Sequence, residues 1–584
     1  MRVFLDLMWF FKTRKRHYIF GILMLVCVTL LSLVPPQIVG RLVNDIRNKS
    51  LTPHILAVWL LIIGIIAFTM YVLRYFWRIL LFGSAVQLST LLRRQLYDHF
   101  TRMSPKFYQE HRVGDLMAHA TNDISAVEST AMDGILTLVD SLTSGTLVIA
   151  TMALTISWKL TLIALLPMPI IAVTTQFYGT ILHRRFTKAQ AAFSDTNDKV
   201  QENISGMRVI KAFGQEDAEE AAFAELTEDV VAKNLAVAKI DALFDPTIGI
   251  VVALSYFLSF GAGAWFVAHG QLNLGQLTTF SIYLGQLIWP MLAFGWLFNI
   301  VERGRASNDR IRILLGTKTD IVDRKDAVDA TPSGDILYNV EEFRYPNASE
   351  PTLRDIRVTL LRGSTLGIVG RTGSGKTTFL RLLLREFDVE HGDIAIGGRS
   401  IYHTTLDSLR SAVAYVPQDH FLFSATIADN IAFAAPDKPL SAIQEAARDA
   451  QIHEDILRFP LGYATLVGER GVTLSGGQKQ RISIARALLM NAEILILDDA
   501  LSAVDARTES HILESLRRNR SHKTTIIATH RLSAVEHADL ILVLDEGAIV
   551  ERGSHQELLQ LHGVYQKMWD RQQLESMVEE GGIA

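Results

Sequence analysis

The chain has 584 residues, a formal net charge of −4 and 49% hydrophobic residues. That length allows several domains, and the charge gives no basic footprint for nucleic acid, so none is expected as a partner. The single cysteine, Cys27, sits in an apolar run, which excludes an intramolecular disulfide and a cysteine metal cluster.

In chain order, residues Val3–Phe11 (VFLDLMWFF) are rich in aromatics and read as a helix lying along a membrane interface. The uncharged run Tyr18–Val34 is nearly long enough, at ~1.5 Å per residue, to cross a hydrocarbon core. No clear small-residue cleavage site follows it and further apolar runs do, so it is not a signal peptide. Six spans are expected: Tyr18–Val34, His54–Tyr75, Ile135–Ile156, Trp158–Tyr178, Leu243–Ala268 and Leu277–Ile300. Lys12, Arg14, Lys15 and Arg16 precede the first span and place the N-terminus in the cytoplasm. Residues 39–53, the few near Trp158, and residues 269–274 are then external. The long connections 80–134 and 179–242 are internal, and their Leu, Ala, Glu, Gln and Arg content predicts helices that continue into the cytoplasm.

Within the spans, Asp140 is an intramembrane acid. It is either a site that attracts a cationic substrate or a group bonded to a neighbouring helix or water. The last span carries Phe280, Tyr283, Trp289, Met291, Phe294, Trp296 and Phe298. Phe280, Trp289 and Trp296 are candidate substrate contacts, although most such residues face lipid or other helices. Arg74 and Arg78, one turn apart, are expected to snorkel to lipid phosphates.

Composition changes after residue 315. Residues 1–315 read as the membrane domain, 316–334 as a polar linker, 335–575 as a soluble domain of alternating strands and helices, and 576–584 as a charged tail. In the soluble part, GRTGSGKTT fits G-x-x-x-x-G-K-[ST] and follows an apolar strand, Leu366–Val369. Its residues Gly370, Arg371, Thr372, Gly373, Ser374, Gly375, Lys376, Thr377 and Thr378 form a phosphate cradle, in which backbone N–H groups and the next helix's positive end meet phosphate oxygens. Lys376 is expected on the β- and γ-phosphates of ATP and the Thr377 hydroxyl on Mg2+. The segment ILILDDALSAVD (Ile494–Asp505) is a strand ending in two acids. Asp498 is placed for Mg2+ and Asp499 for the attacking water.

The segment LSGGQKQRISIARAL (Leu474–Leu488) resembles the signature of ATP-binding cassette (ABC) proteins. The chain over about residues 1–575 resembles an ABC exporter half-transporter of the bacterial heterodimeric multidrug kind. Residues Gly114–Asp123, Ser205–Glu216 and Asn299–Gly304 are similar to that group's cytoplasmic and gate-helix segments. The resemblance implies an all-α six-helix transmembrane domain with long cytoplasmic extensions, followed by an α/β P-loop cassette, in a bacterial cytoplasmic membrane. It implies Tyr345 on the adenine ring, Gln418 on Mg2+ and His530 at the γ-phosphate. It also implies that Ser475, Gly476, Gly477 and Gln478 cap the ATP of a second half-transporter. Residues Thr465–Gly471 are similar to a loop that contacts that partner, or form a solvated turn.

In hydrolytic members of the family the acid after the magnesium aspartate is usually glutamate. Asp499 is one methylene shorter, and a positioned base contributes on the order of 10²–10⁴ in rate. The expectation is ATP-driven export of small amphipathic compounds by a heterodimer whose partner carries the glutamate. A homodimer with a working aspartate is the alternative. A lipid flippase, and an ATP-gated channel or regulator, share the architecture. Peptide export is not expected, since no peptidase segment precedes the first span.

Overall fold

The computed structural model describes residues 2–346, 348–468 and 474–579. It forms two compact units, Met1–Thr101 with Val113–Thr317, and Arg102–Arg112 with Lys318–Ala584.

The first unit is helical. Among the described residues five stretches are long and apolar enough to cross a membrane: Lys15–Arg47, Pro53–Thr101, Val113–Leu165, Glu216–Ala268 and Leu274–Gly316. The count differs from the expected six at the fourth span. Ser157 is extended (φ −164°, ψ 117°) and its hydroxyl accepts from Leu160 N, so a new helix, Trp158–Leu165, starts there. That helix stops at Leu166, and Met168–Phe213 begins beyond Pro167, which has no N–H to continue the ladder. The stretch Pro53–Thr101, 49 residues long, extends about 75 Å against a core of ~30 Å, as cytoplasmic extensions require.

Helices Val34–Arg47 and Leu274–Gln286 meet through small and polar residues. Asn44 Oδ1 accepts from Gly275 N at 2.9 Å, and the Asn44 amide donates to Asn273 Oδ1 at 3.0 Å. The Tyr283 hydroxyl donates to Leu33 O at 2.5 Å. A Cβ on Gly275 would stand 1.9 Å from Gly40 O, so the two backbones touch as in small-residue membrane interfaces. Gly275→Val is therefore expected to force the helices apart and lower the apparent Tm in detergent. Gly261→Val, with nothing within 4 Å, is the control that leaves it unchanged.

On the extensions, buried Asp123 accepts from Ser307 Oγ at 2.8 Å and Arg310 Nε at 3.0 Å, and its Oδ2 lies 2.6 Å from His119 Nδ1. The polar end of the Gly114–Asp123 segment thus fastens it to the last long helix.

Among the described residues the second unit has ten strands: β1 (Ile336–Phe343), β2 (Leu353–Leu360), β3 (Thr365–Gly370), β4 (His391–Ile396), β5 (Arg399–Ser400), β6 (Val413–Val416), β7 (Ile494–Asp498), β8 (Thr524–Ala528), β9 (Leu540–Asp545) and β10 (Ala548–Gly553). One sheet has the order β2-β1-β4-β5 and is antiparallel. The other has the order β10-β9-β3-β8-β7-β6 and is parallel except for β10. β1 alternates buried and exposed residues, whereas β7 and β8 are buried throughout, as strands covered on both faces must be. Of the segment 316–334, read from composition as linker, residues 318–334 are tied to this unit. Val322 O accepts from Arg385, Asp323 from Leu406 N, and Asp329 from Ser408 Oγ, at 2.8–2.9 Å.

Candidate nucleotide site

Strand order builds the site. β3, β8, β7 and β6 are parallel neighbours, so their C-terminal ends share one edge, where α/β sheets bind ligands. The loop after β3 is the phosphate cradle, His530 follows β8, Asp498 ends β7, and Gln418 lies just beyond β6. Sequence distances of more than a hundred residues collapse to adjacent strand ends.

The cradle needs its glycines. Gly370, Gly373 and Gly375 have φ of 152°, 84° and 100°, conformations that L side chains rarely adopt. A Cβ on Gly370 would lie 2.2 Å from Leu544 O. Arg371 and Thr372 are exposed at the rim, while Ser374 is buried and its hydroxyl has no partner. The buried Lys376 ammonium donates to Gly370 O and Arg371 O, both at 2.9 Å. Burial pulls its pKa down, and the Asp499 and Asp498 charges oppose this.

Thr377 Oγ1 donates to Asp498 Oδ1 at 3.2 Å, and the Tyr415 hydroxyl donates to Asp498 Oδ2 at 3.2 Å. Burial pushes the Asp498 carboxyl up, against those two hydrogen bonds. A hydroxyl and a carboxylate converging in this way fit Mg2+, which takes hard oxygen donors and usually only one or two carboxylates beside phosphates. Among the described residues no cluster of three or more His, Cys, Asp or Glu side chains forms a metal cage. Gln418 is exposed. Tyr345 hydrogen-bonds Thr378 through its hydroxyl at 3.1 Å and meets Phe343 and Phe387 edge to face. The His530 imidazole is half-buried, and burial together with the Lys376 charge holds its pKa below the ordinary value.

Asp499 is the unusual member. Its backbone is left-handed, φ 47°, a region that aspartate tolerates better than most side chains. Its Oδ1 is buried without a partner. The same holds for both ring nitrogens of His420, on which the Asp499 charge acts. Sequence reading missed Tyr415 and His420, because only the pairing of β6 with β7 brings them near the acids.

Helix Gly476–Met490 starts with a reciprocal cap: Ser475 Oγ accepts from Gln478 N, and Gln478 Oε1 accepts from Ser475 N. The buried Gln480 amide donates to Ser502 Oγ at 3.0 Å and accepts from Ala503 N at 2.9 Å. A Cβ on Gly477 would lie 2.8 Å from Ala503 O, whereas one on Gly476 has ordinary room. Glu469, Arg470 and Gly471 of the expected partner-contact loop lie outside the described residues.

The membrane-side candidates differ in exposure. Phe280 and Tyr283 are fully buried in the packing of the first unit, which makes Phe280 a core residue and not a pocket wall. Trp289 and Trp296 are exposed. Asp140 is half-buried, and the Arg74 charge acts on it.

Residues 18–291 match the family described as "ABC transporter transmembrane region", and residues 353–502 match "ABC transporter". The chain belongs to the ABC transporter family. It is 49% identical over 99% of its length to "Multidrug resistance-like ATP-binding protein MdlA" of Escherichia coli (strain K12), covering 98% of that protein. It is 47% identical to "Probable multidrug resistance ABC transporter ATP-binding/permease protein YheI" of Bacillus subtilis (strain 168), with 98% of each chain covered. An "ATP-dependent lipid A-core flippase" of Syntrophus aciditrophicus (strain SB) is 34% identical over 87% of this chain and 84% of its own. The solved structure of a bacterial Atm1-family ABC exporter with ATP bound superposes with a TM-score of 0.80 at 29% identity, covering 96% of this chain and 98% of that one. The transporter is thus a multi-pass membrane half-transporter of the exporter type that couples ATP hydrolysis to transport.

Proposed function

We propose that the transporter exports small amphipathic compounds as one half of a heterodimer, and that its own P-loop site binds ATP but hydrolyses it slowly. The observation that carries the second part is Asp499: a short acid on a left-handed backbone, its Oδ1 unpartnered, in a site where Lys376 is bonded to Gly370 O and Thr377 to Asp498. Withdrawing the carboxylate by about a bond length forfeits part of the 10²–10⁴ that a positioned base contributes. Cradle amides and Lys376 hold the phosphates, Tyr345 stacks on the adenine, and His530 contacts the γ-phosphate. Thr377, Asp498 and Gln418 hold Mg2+, which neutralises phosphate charge. Two cassettes face head to tail, so that Ser475, Gly476, Gly477 and Gln478 complete the site of the partner, which carries the glutamate.

The names of the 49% and 47% identical relatives support a multidrug substrate. The flippase relative keeps a lipid substrate as the second reading. Inside-out vesicles holding both chains separate the two: ATP-driven uptake of a fluorescent amphipathic cation supports drug export, and movement of a labelled lipid alone supports the flippase. Current down a gradient would instead indicate a channel. In the same vesicles Asp140→Asn is expected to weaken uptake of cationic compounds several-fold and to spare neutral ones, because the charge goes while the shape stays. Equal loss of both would point to folding or gating instead.

A further inference from the structure

Helix Val564–Glu579 is anchored at its start. Val564 N and Tyr565 N donate to the two oxygens of Glu551 on β10, the second at 2.9 Å, which suits the positive end of a helix. The helix then lays Tyr565, Met568 and Trp569 on the cassette core, an i, i+3, i+4 stripe. The next position of that stripe, i+7, is Gln572, where an amphipathic pattern calls for an apolar side chain. Its amide instead meets the loop after β8 at two points. Gln572 Nε2 donates to His530 O at 2.5 Å, and Gln572 Oε1 accepts from Leu532 N at 2.9 Å. Between those contacts Arg531 holds the loop from another direction, donating to Leu501 O, Val504 O and Glu509 Oε2 at 2.5–3.2 Å.

We propose that Gln572 is a positioning residue for His530: its amide fixes the backbone on both sides of Arg531, so that the imidazole is held toward the γ-phosphate of ATP on this chain's P-loop. The proposal rests on the reading of His530 as a γ-phosphate contact. A primary amide offers a donor and an acceptor side by side. A carboxylate offers only acceptors and a thioether neither donor, so glutamate or methionine at 572 keeps the length but not the pair of bonds.

The test measures ATP and ADP binding, with Mg2+, to the purified full-length chain carrying Gln572→Met, Gln572→Glu, His530→Ala, or Gln572→Met with His530→Ala. Only ATP presents a γ-phosphate, so a loop displaced from its place changes ATP binding and leaves ADP alone. His530→Ala and Gln572→Met are each expected to weaken ATP about three- to tenfold, with ADP within about twofold. Gln572→Glu follows Gln572→Met, because one of its oxygens opposes the His530 carbonyl. In the His530→Ala background Gln572→Met adds nothing, the signature of two residues acting as one unit. Should Gln572→Met fail to fold, the isosteric Gln572→Glu carries the same comparison. If His530→Ala weakens ATP but the Gln572 variants do not, or if they weaken ATP and ADP alike, the proposal is overturned and the site reading stands. A Gln572→Met effect that persists without His530 overturns it in the same way. If His530→Ala itself leaves the ratio of ATP to ADP affinity unchanged, the γ-phosphate reading fails and the proposal falls with it.

Discussion

In a complex reconstituted from both half-transporters, Gly476→Asp should remove nearly all ATP turnover while Asp499→Asn lowers it only a few-fold. On the proposed composite-site reading the two substitutions address different ATP molecules. Gly476 opens the helix proposed to cap the partner's nucleotide, and a Cβ there meets nothing closer than 3.7 Å. An acid in the first turn of a helix is compatible with the dipole, so this chain's own fold is kept. The added charge would instead face the partner's γ-phosphate at the one site that turns over, with a loss of about a hundredfold or more. Gly477 is the poorer choice, because a side chain there must displace Ala503 O and damages this chain directly. On the slow-site reading, Asp499→Asn has little base catalysis to remove. Rates measured side by side decide the matter. If Asp499→Asn is as inactive as Gly476→Asp, aspartate is a working base and the asymmetric pair is wrong.

The second large effect is on nucleotide retention. After one round of trapping with labelled ATP, the complex should keep one ATP on this chain, and Lys376→Ala should release it. The ammonium has three donors, two of which meet Gly370 O and Arg371 O, so it can hold the loop closed and still reach phosphate. Losing a charge-assisted contact of about 1.5–3 kcal/mol weakens ATP on the order of 10- to 100-fold. Equal, rapid loss of label from both sites of the unsubstituted complex would overturn the slow-site reading.

What could be read in the sequence was whatever is local. The cradle is a strand, a glycine turn and a helix within a dozen residues, and its three positive-φ glycines can hardly be replaced. The burial of β7 is written in its uninterrupted apolar run. Pairing between distant strands is not local. That β6 lies against β7, and so puts the Tyr415 hydroxyl on Asp498, has no signature in either segment. In the membrane half, hydropathy locates spans but not faces, so the aromatic Phe280 could equally have lined a pocket or, as found, filled the core. Pro167 signals a helix break, yet the surrounding apolarity is continuous and hid it. Polar composition suggested a free linker, but Asp323 and Asp329 serve the start of the helix Leu406–Ser411 and dock the segment instead.

The loop Leu501–Asp505 is gripped from two directions. Gln480, on the helix that begins with the signature, holds Ser502 and Ala503, and Arg531, next to His530, holds Leu501 and Val504. Under the composite-site reading the first grip belongs to the partner's ATP and the second to this chain's own. Ligands that bias a shared element are thermodynamically linked, and the linkage is reciprocal. ATP on the slow site must then alter the affinity of the fast site by the same factor by which occupancy of the fast site alters the slow one. On that reading a slow site need not consume its ATP to matter: merely staying filled would shift the binding constant of the site that does the work.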